Sequence, residues 1–159
     1  AGYLSALIPE EYDGLGLPLY AGAAILEEIH RSGGNAAACH AQMYTMGTVL
    51  RHGNDAQKQA YLPKIASGEL RLQAFGVTEP TSGTDTTALR TTARREGDNY
   101  IVNGQKIWTS RAEYSDLMLL LARKHRVKNV PKRRTDYRCF WLICARCAAH
   151  HSQSGLSGP

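Results

Sequence analysis

The sequence predicts an α+β fold, a helical amino-terminal domain followed by an antiparallel β-domain, and the whole is expected to be truncated. Three observations predict it. Residues 20–66 carry apolar side chains at helical spacing, residues 71–122 change to period-two alternation broken by turn signals, and the two patterns follow one another instead of alternating. That segregation argues against a doubly wound nucleotide-binding fold.

The first helix follows the Pro/Gly-punctuated loop of "LIPEEYDGLGLP". After Pro18, residues Leu19, Ala23, Leu26, Ile29 and His30 share a helical face, and Gly33 and Gly34 end it. A second helix spans about Ala36 to His52, with Met43, Met46, Val49 and Leu50 on its apolar side and Gly53 as its stop. A third opens at an Asn54 or Asp55 N-cap and runs through "AQKQAYLPKIASG", where Pro63 is expected to end or kink it. From Leu70 the segments "LRLQAFGVTEP", "LRTTARREGDNYIVNGQKIWTS" and "SDLMLLLAR" read as strands. Gly97-Asp98 is expected at one hairpin turn and Asn103-Gly104 at the next. The domains expected are therefore 1–70, 71–123 and a divergent tail, 124–159.

Composition narrows the function classes. The chain has 159 residues, 43% apolar and 21% charged, without an apolar run near the roughly 20 residues that span a bilayer. No membrane span is expected. The start has no basic region ahead of an apolar stretch, so it does not read as a signal peptide, and the missing initiator Met suggests a fragment. The formal charge of +5 belongs to the tail: residues 1–122 hold 10 Lys+Arg against 13 Asp+Glu, residues 123–159 hold 9 against 1. Four cysteines without a secretory signal read as reduced thiols, which implies a cytoplasmic location.

Three segments carry a resemblance: "IPEEYDGLGL", "FGVTEPTSGTD" and "GQKIWTSRAEYSDLMLLLAR". In this order they resemble the acyl-CoA dehydrogenase family, over residues 3 to 123. The middle segment is the most specific, with an aromatic residue, TEP, a small pair and Gly-Ser/Thr-Asp at fixed spacing. The resemblance implies an FAD-dependent enzyme that removes hydrogen from Cα and Cβ of a fatty or branched acyl-CoA. It implies an electron-transfer flavoprotein or other acceptor as partner, and a homo-oligomer in the full-length family. It assigns Phe75, Val77, Thr78, Gly83, Thr84, Trp108, Thr109 and Ser110 to the flavin, with Thr84 also against the acyl-CoA. The family's catalytic base is a Glu of a carboxy-terminal helical domain, so no catalytic residue is assigned here and the fragment alone is expected to be inactive.

The residue types suit that assignment. Gly76 and Gly83 permit close backbone approach to a ligand, and Thr78 and Thr84 bring hydroxyls for the polar edges of an isoalloxazine. Trp108 offers a flat apolar surface for stacking, and on a strand it shares a face with Ser110. The plainer readings are a turn-rich loop for "TEPTSGTD" and a core aromatic for Trp108. Arg111 departs from the Asn found in many family members at this point.

Other candidates are assigned no chemistry. His30 and His40 have no matching ligand spacing, Glu27 and Glu28 read as a solvated helix face, and Cys144-Ala-Arg-Cys147 with His150 and His151 lacks a second ligand pair. No metal is expected. After Arg123 neither periodicity persists, and a frameshift near residue 124 accounts for it. Codons chosen for "RTDYRCFWLICARC" and read two nucleotides later encode "DGLSVFLVDLRAV", which is similar to the family's next strand. A non-catalytic remnant or interaction module and a related flavin oxidase are the alternative functions. Nucleic-acid binding by the basic tail is not expected, because the tail lacks interleaved stacking aromatics.

Overall fold

The computed structural model describes residues 2–124 and 139–144. Three helices lead: α1 over Leu19–Arg31, α2 over Ala37–His52 and α3 over Asp55–Ser67. The Gly53 stop of α2 and the Asn54 N-cap of α3 are as the sequence predicts. The Asn54 side chain accepts from the Gln57 amide at 2.8 Å while the Gln57 side chain accepts from the Asn54 amide at 3.0 Å, a reciprocal capping box. Gly68 closes α3 with a left-handed φ of 83°. Pro63 does not end this helix, which continues to Ser67. Leu62 and Ile65, on either side of the proline, are fully buried, and that burial offsets the lost backbone bond.

Five strands follow: β1 Leu72–Gly76, β2 Thr92–Glu96, β3 Asn99–Asn103, β4 Leu117–Lys124 and β5 Cys139–Cys144. The fold class stands, with one correction to the sheet. It is mixed: β2–β3 and β4–β5 pair antiparallel, but β1 and β2 both run parallel to β4. Turn chemistry dictates only the sense of strands joined by a tight turn. Between Gly76 and Leu117 the chain inserts a loop, a hairpin and a second loop, long enough for a parallel crossover.

The hairpin turns at Gly97, as expected, where φ is 58° and Glu96 pairs with Asn99. The second expected turn fails. Asn103-Gly104 leads into irregular backbone over 104–109, not into a returning strand. Gly104 is needed there because a Cβ would lie 2.6 Å from Thr91 Cα. β5 is also a strand that period-two reading does not find, since Cys139–Cys144 is six consecutive apolar residues without alternation.

Two apolar clusters hold these layers. Ile8, Tyr12, Met46, Val49, Leu62, Ile65 and Leu72 join α2, α3 and the amino-terminal turns to β1. Ala74, Ala93, Met118, Leu120 and Ala122 fill the sheet face beyond. Where α2 lies on β1 the contact is partly polar: the Thr45 hydroxyl donates to the Leu72 carbonyl at 2.5 Å. Among the described residues no helix is long and apolar enough to cross a membrane.

Candidate functional site

The two longest motifs meet at the end of β1. Gly76 ends that strand against its own chain, since a Cβ would sit 3.1 Å from Leu120 Cδ1 and 3.4 Å from Lys106 Cγ. The close approach expected of Gly76 is therefore to Leu120 and Lys106. The chain then passes Val77 and Thr78, both half-buried. The Ile107 amide donates to the Thr78 carbonyl at 2.9 Å, and the Lys106 ammonium donates to the Val77 carbonyl at 2.9 Å. Segments far apart in sequence are thereby strapped side by side, and Trp108 follows directly.

Glu79 is the anchor of this arrangement. Its buried carboxylate accepts from the Arg90 amide at 2.6 Å, the Thr91 amide at 2.9 Å and Lys106 Nζ at 2.9 Å. Burial alone would raise its pKa. Hydrogen bonds from Thr91, the Arg90 amide and Lys106 outweigh that and hold it at about 2. Burial lowers the Lys106 pKa, and Glu79 opposes the shift. The loop from Pro80 to Leu89 is thus closed at its base. A paired set of backbone bonds between Glu79 and Ser82 and the Ser82 hydroxyl on the Asp85 carbonyl tighten it further.

Gly83 and Thr84 sit exposed on this loop, where a Cβ on Gly83 would meet nothing within 4 Å. Among the described residues no hydrogen bond joins them to the Trp108 segment. Phe75 is half-buried on β1 and meets the Tyr44 ring of α2 at a centroid distance of 5.8 Å. The structure so sets Trp108 beside Val77 and Thr78, places Phe75 against α2, and leaves Gly83 and Thr84 on the loop.

Trp108 is neither in a strand nor in the core. It is 85% exposed and takes a φ of 58°, a conformation uncommon for a bulky residue. Ser110 donates its amide to the Trp108 carbonyl at 3.0 Å, so the two lie on a tight turn and do not share a strand face. Between them the Thr109 hydroxyl is buried and has no partner among the described residues. Arg111, with a φ of 62°, donates from Nε to the Gln73 side chain at 2.7 Å, and Gln73 donates to Gln42 of α2 at 3.2 Å. The register of β1 against β4 slips between Leu72 and Ala74, which frees Gln73 for this relay.

Sequence reasoning passed over Glu79, Lys106, Gln73 and Gln42. Glu79 and Lys106 lie inside the quoted motifs, yet a Glu and a Lys 27 residues apart share no local period that would pair them. His30 and His40 are exposed beside a shallow cleft of about 390 Å³ between α1 and α2. Among the described residues no group of three or more His, Cys, Asp or Glu could hold a metal. Cys147, His150 and His151 lie outside the described residues.

The residues present fit a flavin on this geometry. An exposed indole and an unpartnered buried hydroxyl beside it suit a flat heteroaromatic with polar edges. Comparison with known proteins gives the family. Residues 1–69 match the model of the acyl-CoA dehydrogenase N-terminal domain, and residues 74–148 match that of the acyl-CoA dehydrogenase middle domain. The chain belongs to the acyl-CoA dehydrogenase family.

Among curated acyl-CoA dehydrogenases, the chain is 38% identical over 126 residues to glutaryl-CoA dehydrogenase of Desulfococcus multivorans, covering 76% of this chain and 32% of that protein. It is 42% identical over 123 residues to acyl-CoA dehydrogenase FadE29 of Mycobacterium tuberculosis, covering 77% and 31%. A solved acyl-CoA dehydrogenase from Geobacillus kaustophilus superposes with a TM-score of 0.77 at 28% identity, over 90% of this chain and 37% of that one. One from Bacillus anthracis, solved in complex with FAD, superposes with a TM-score of 0.66 at 29% identity, over 90% and 24%. The chain therefore spans about a third of the length of the curated acyl-CoA dehydrogenases it matches. The middle-domain match also runs past residue 123, where the quoted motifs stop.

Proposed function

We propose that this chain forms the flavin-facing portion of an FAD-dependent acyl-CoA dehydrogenase, which removes hydrogen from Cα and Cβ of a fatty or branched acyl-CoA thioester. The observation that carries the reading is the strap from the Ile107 amide to the Thr78 carbonyl, which sets an exposed Trp108 beside the Val77–Thr78 backbone. The FAD-bound relative from Bacillus anthracis supports the cofactor. When bound, FAD supplies the hydride acceptor.

In this reading the indole of Trp108 stacks on the cofactor, and the Thr78 and Thr84 hydroxyls meet its polar edges. Phe75 and Val77 wall the site. Gly83 would allow close backbone approach, Thr109 and Ser110 would offer hydroxyls to the cofactor, and Thr84 would also lie against the acyl-CoA. The α-proton needs a base on the opposite side of the substrate. No residue of this chain is given that role, because the family's base belongs to a domain outside the two matched segments. The whole protein's acceptor, an electron-transfer flavoprotein or another oxidant, its assembly into homo-oligomers and its cytoplasmic location belong to the same proposal. So does a shifted reading frame near residue 124, which the nucleotide sequence of codons 120 to 160 tests.

A related oxidase is the second reading, favoured by the likeness to the prolyl acyl carrier protein oxidase AnaB, with a TM-score of 0.75 at 26% identity. The test is an assay of the 159-residue chain with FAD and butyryl- to palmitoyl-CoA, with an artificial electron acceptor or with oxygen. Weak FAD binding without turnover above a flavin-only blank is expected. Steady turnover with the acceptor would put a base within this chain, and peroxide formation would favour the oxidase.

A further inference from the structure

We propose that Glu79 and Lys106 are positioning residues for the flavin site, their buried ion pair fixing the Trp108 segment against the Val77–Thr78 backbone. This rests on the flavin reading above. The side chains are 3% and 8% exposed and meet at 2.9 Å. As a source of stability such a pair is poor, because the cost of stripping water from both charges offsets their attraction.

Direction is what the pair supplies. Lys106 Nζ reaches the Val77 carbonyl and the Glu79 carboxylate, while the same carboxylate takes the Arg90 and Thr91 amides. Four points of the chain, at 77, 79, 90–91 and 106, are thereby held at hydrogen-bond distances. Two apolar side chains of equal volume would fill the space without fixing those distances, since the hydrophobic effect is non-directional. Thr78 lies between two residues bonded to Lys106, and Trp108 lies two residues beyond it. A slip of Lys106 therefore moves the indole relative to the loop. The Ile107 amide bond and the turn at Ser110 transmit it.

The test compares the wild-type chain with Glu79→Gln/Lys106→Met, which removes both charges together, and with Glu79→Gln, which removes one charge and keeps an acceptor for one of the two amides should the double variant not fold. Amide hydrogen exchange is read at Ile107, Arg90 and Thr91 against Leu120 in β4, and FAD is titrated by the shift of the Trp108 amide resonance. The expected result is protection lowered roughly tenfold or more at Ile107 and Thr91 with Leu120 unchanged, together with an FAD affinity lowered about fivefold or more. Equal loss at Leu120 would make the pair a general stabiliser and overturn the proposal. Unchanged protection at Ile107, or unchanged FAD affinity, would overturn it as well. Should wild-type Trp108 not respond to FAD at all, the flavin reading fails separately, and the exchange data still decide whether the pair fixes the strap.

Discussion

The Ile107 amide hydrogen-bonds the Thr78 carbonyl at 2.9 Å and so joins two sequence motifs that no local periodicity connects. Trp108 emerges from that junction as an 85% exposed residue. The junction is what turns two family motifs into one surface.

Trp108→Ala should leave folding intact, because an exposed side chain changes stability by only about 0.5 kcal/mol or less. Flavin affinity should drop by on the order of 1 kcal/mol or more, from lost stacking area. Thr84→Ala should cost about as much through a lost hydrogen bond. FAD titrations and thermal melts of both variants provide the check. Unchanged affinity in both would remove these residues from the site.

Acid stability should depend on Glu79. Its folded-state pKa, about 2, lies below the unfolded carboxylate value of about 4.3. Its contribution is therefore complete above the unfolded value and disappears as pH falls through about 2. Urea melts between pH 5 and pH 2 should show the wild-type midpoint falling across this window and Glu79→Gln falling less. Parallel curves would mean that the carboxylate gains nothing from its three donors.

Much of the fold was legible because its signals are local. Gly53, Asn54 and Gly97 each mark an element end through side-chain or backbone chemistry within a few residues. The parallel pairing of β1 with β4 was not legible, since it depends on which strand edges meet after a long crossover. The site divides the same way. Trp108, Thr78 and Thr84 could be named from motif resemblance, whereas Lys106, Glu79, Gln73 and Gln42 act through contacts between distant segments. The positive φ of Trp108 also comes from the strap and the turn around it, and nothing in the spacing of "KIWTS" announces it.

Gly104→Ala should destabilise the chain by roughly 1–3 kcal/mol. The added methyl would press on Thr91, whose amide is bound to Glu79, so the damage should reach the loop base. Urea midpoints give the size, and hydrogen exchange at Thr91 gives the location. A neutral substitution would show that the approach of Gly104 to Thr91 relaxes freely.

The amino-terminal surface should drive self-association. Tyr3, Leu15, Leu17, Leu19 and Tyr20 are 40–78% exposed, and exposed apolar side chains in such number favour contact with another molecule. Sedimentation of the chain should show concentration-dependent oligomers, which Leu19→Lys/Tyr20→Lys reduces. A wild-type monomer at all concentrations would contradict this.

The most direct measurement of the central claim is an FAD titration of the isotopically labelled chain followed by amide resonances, which detects even weak binding. The largest shifts should fall at Val77, Thr78, Trp108 and Ser110, with smaller ones at Gly83 and Thr84 and none along α3. Shifts confined to other surfaces, such as the cleft beside His30 and His40, or no shifts at all at saturating FAD, would contradict it.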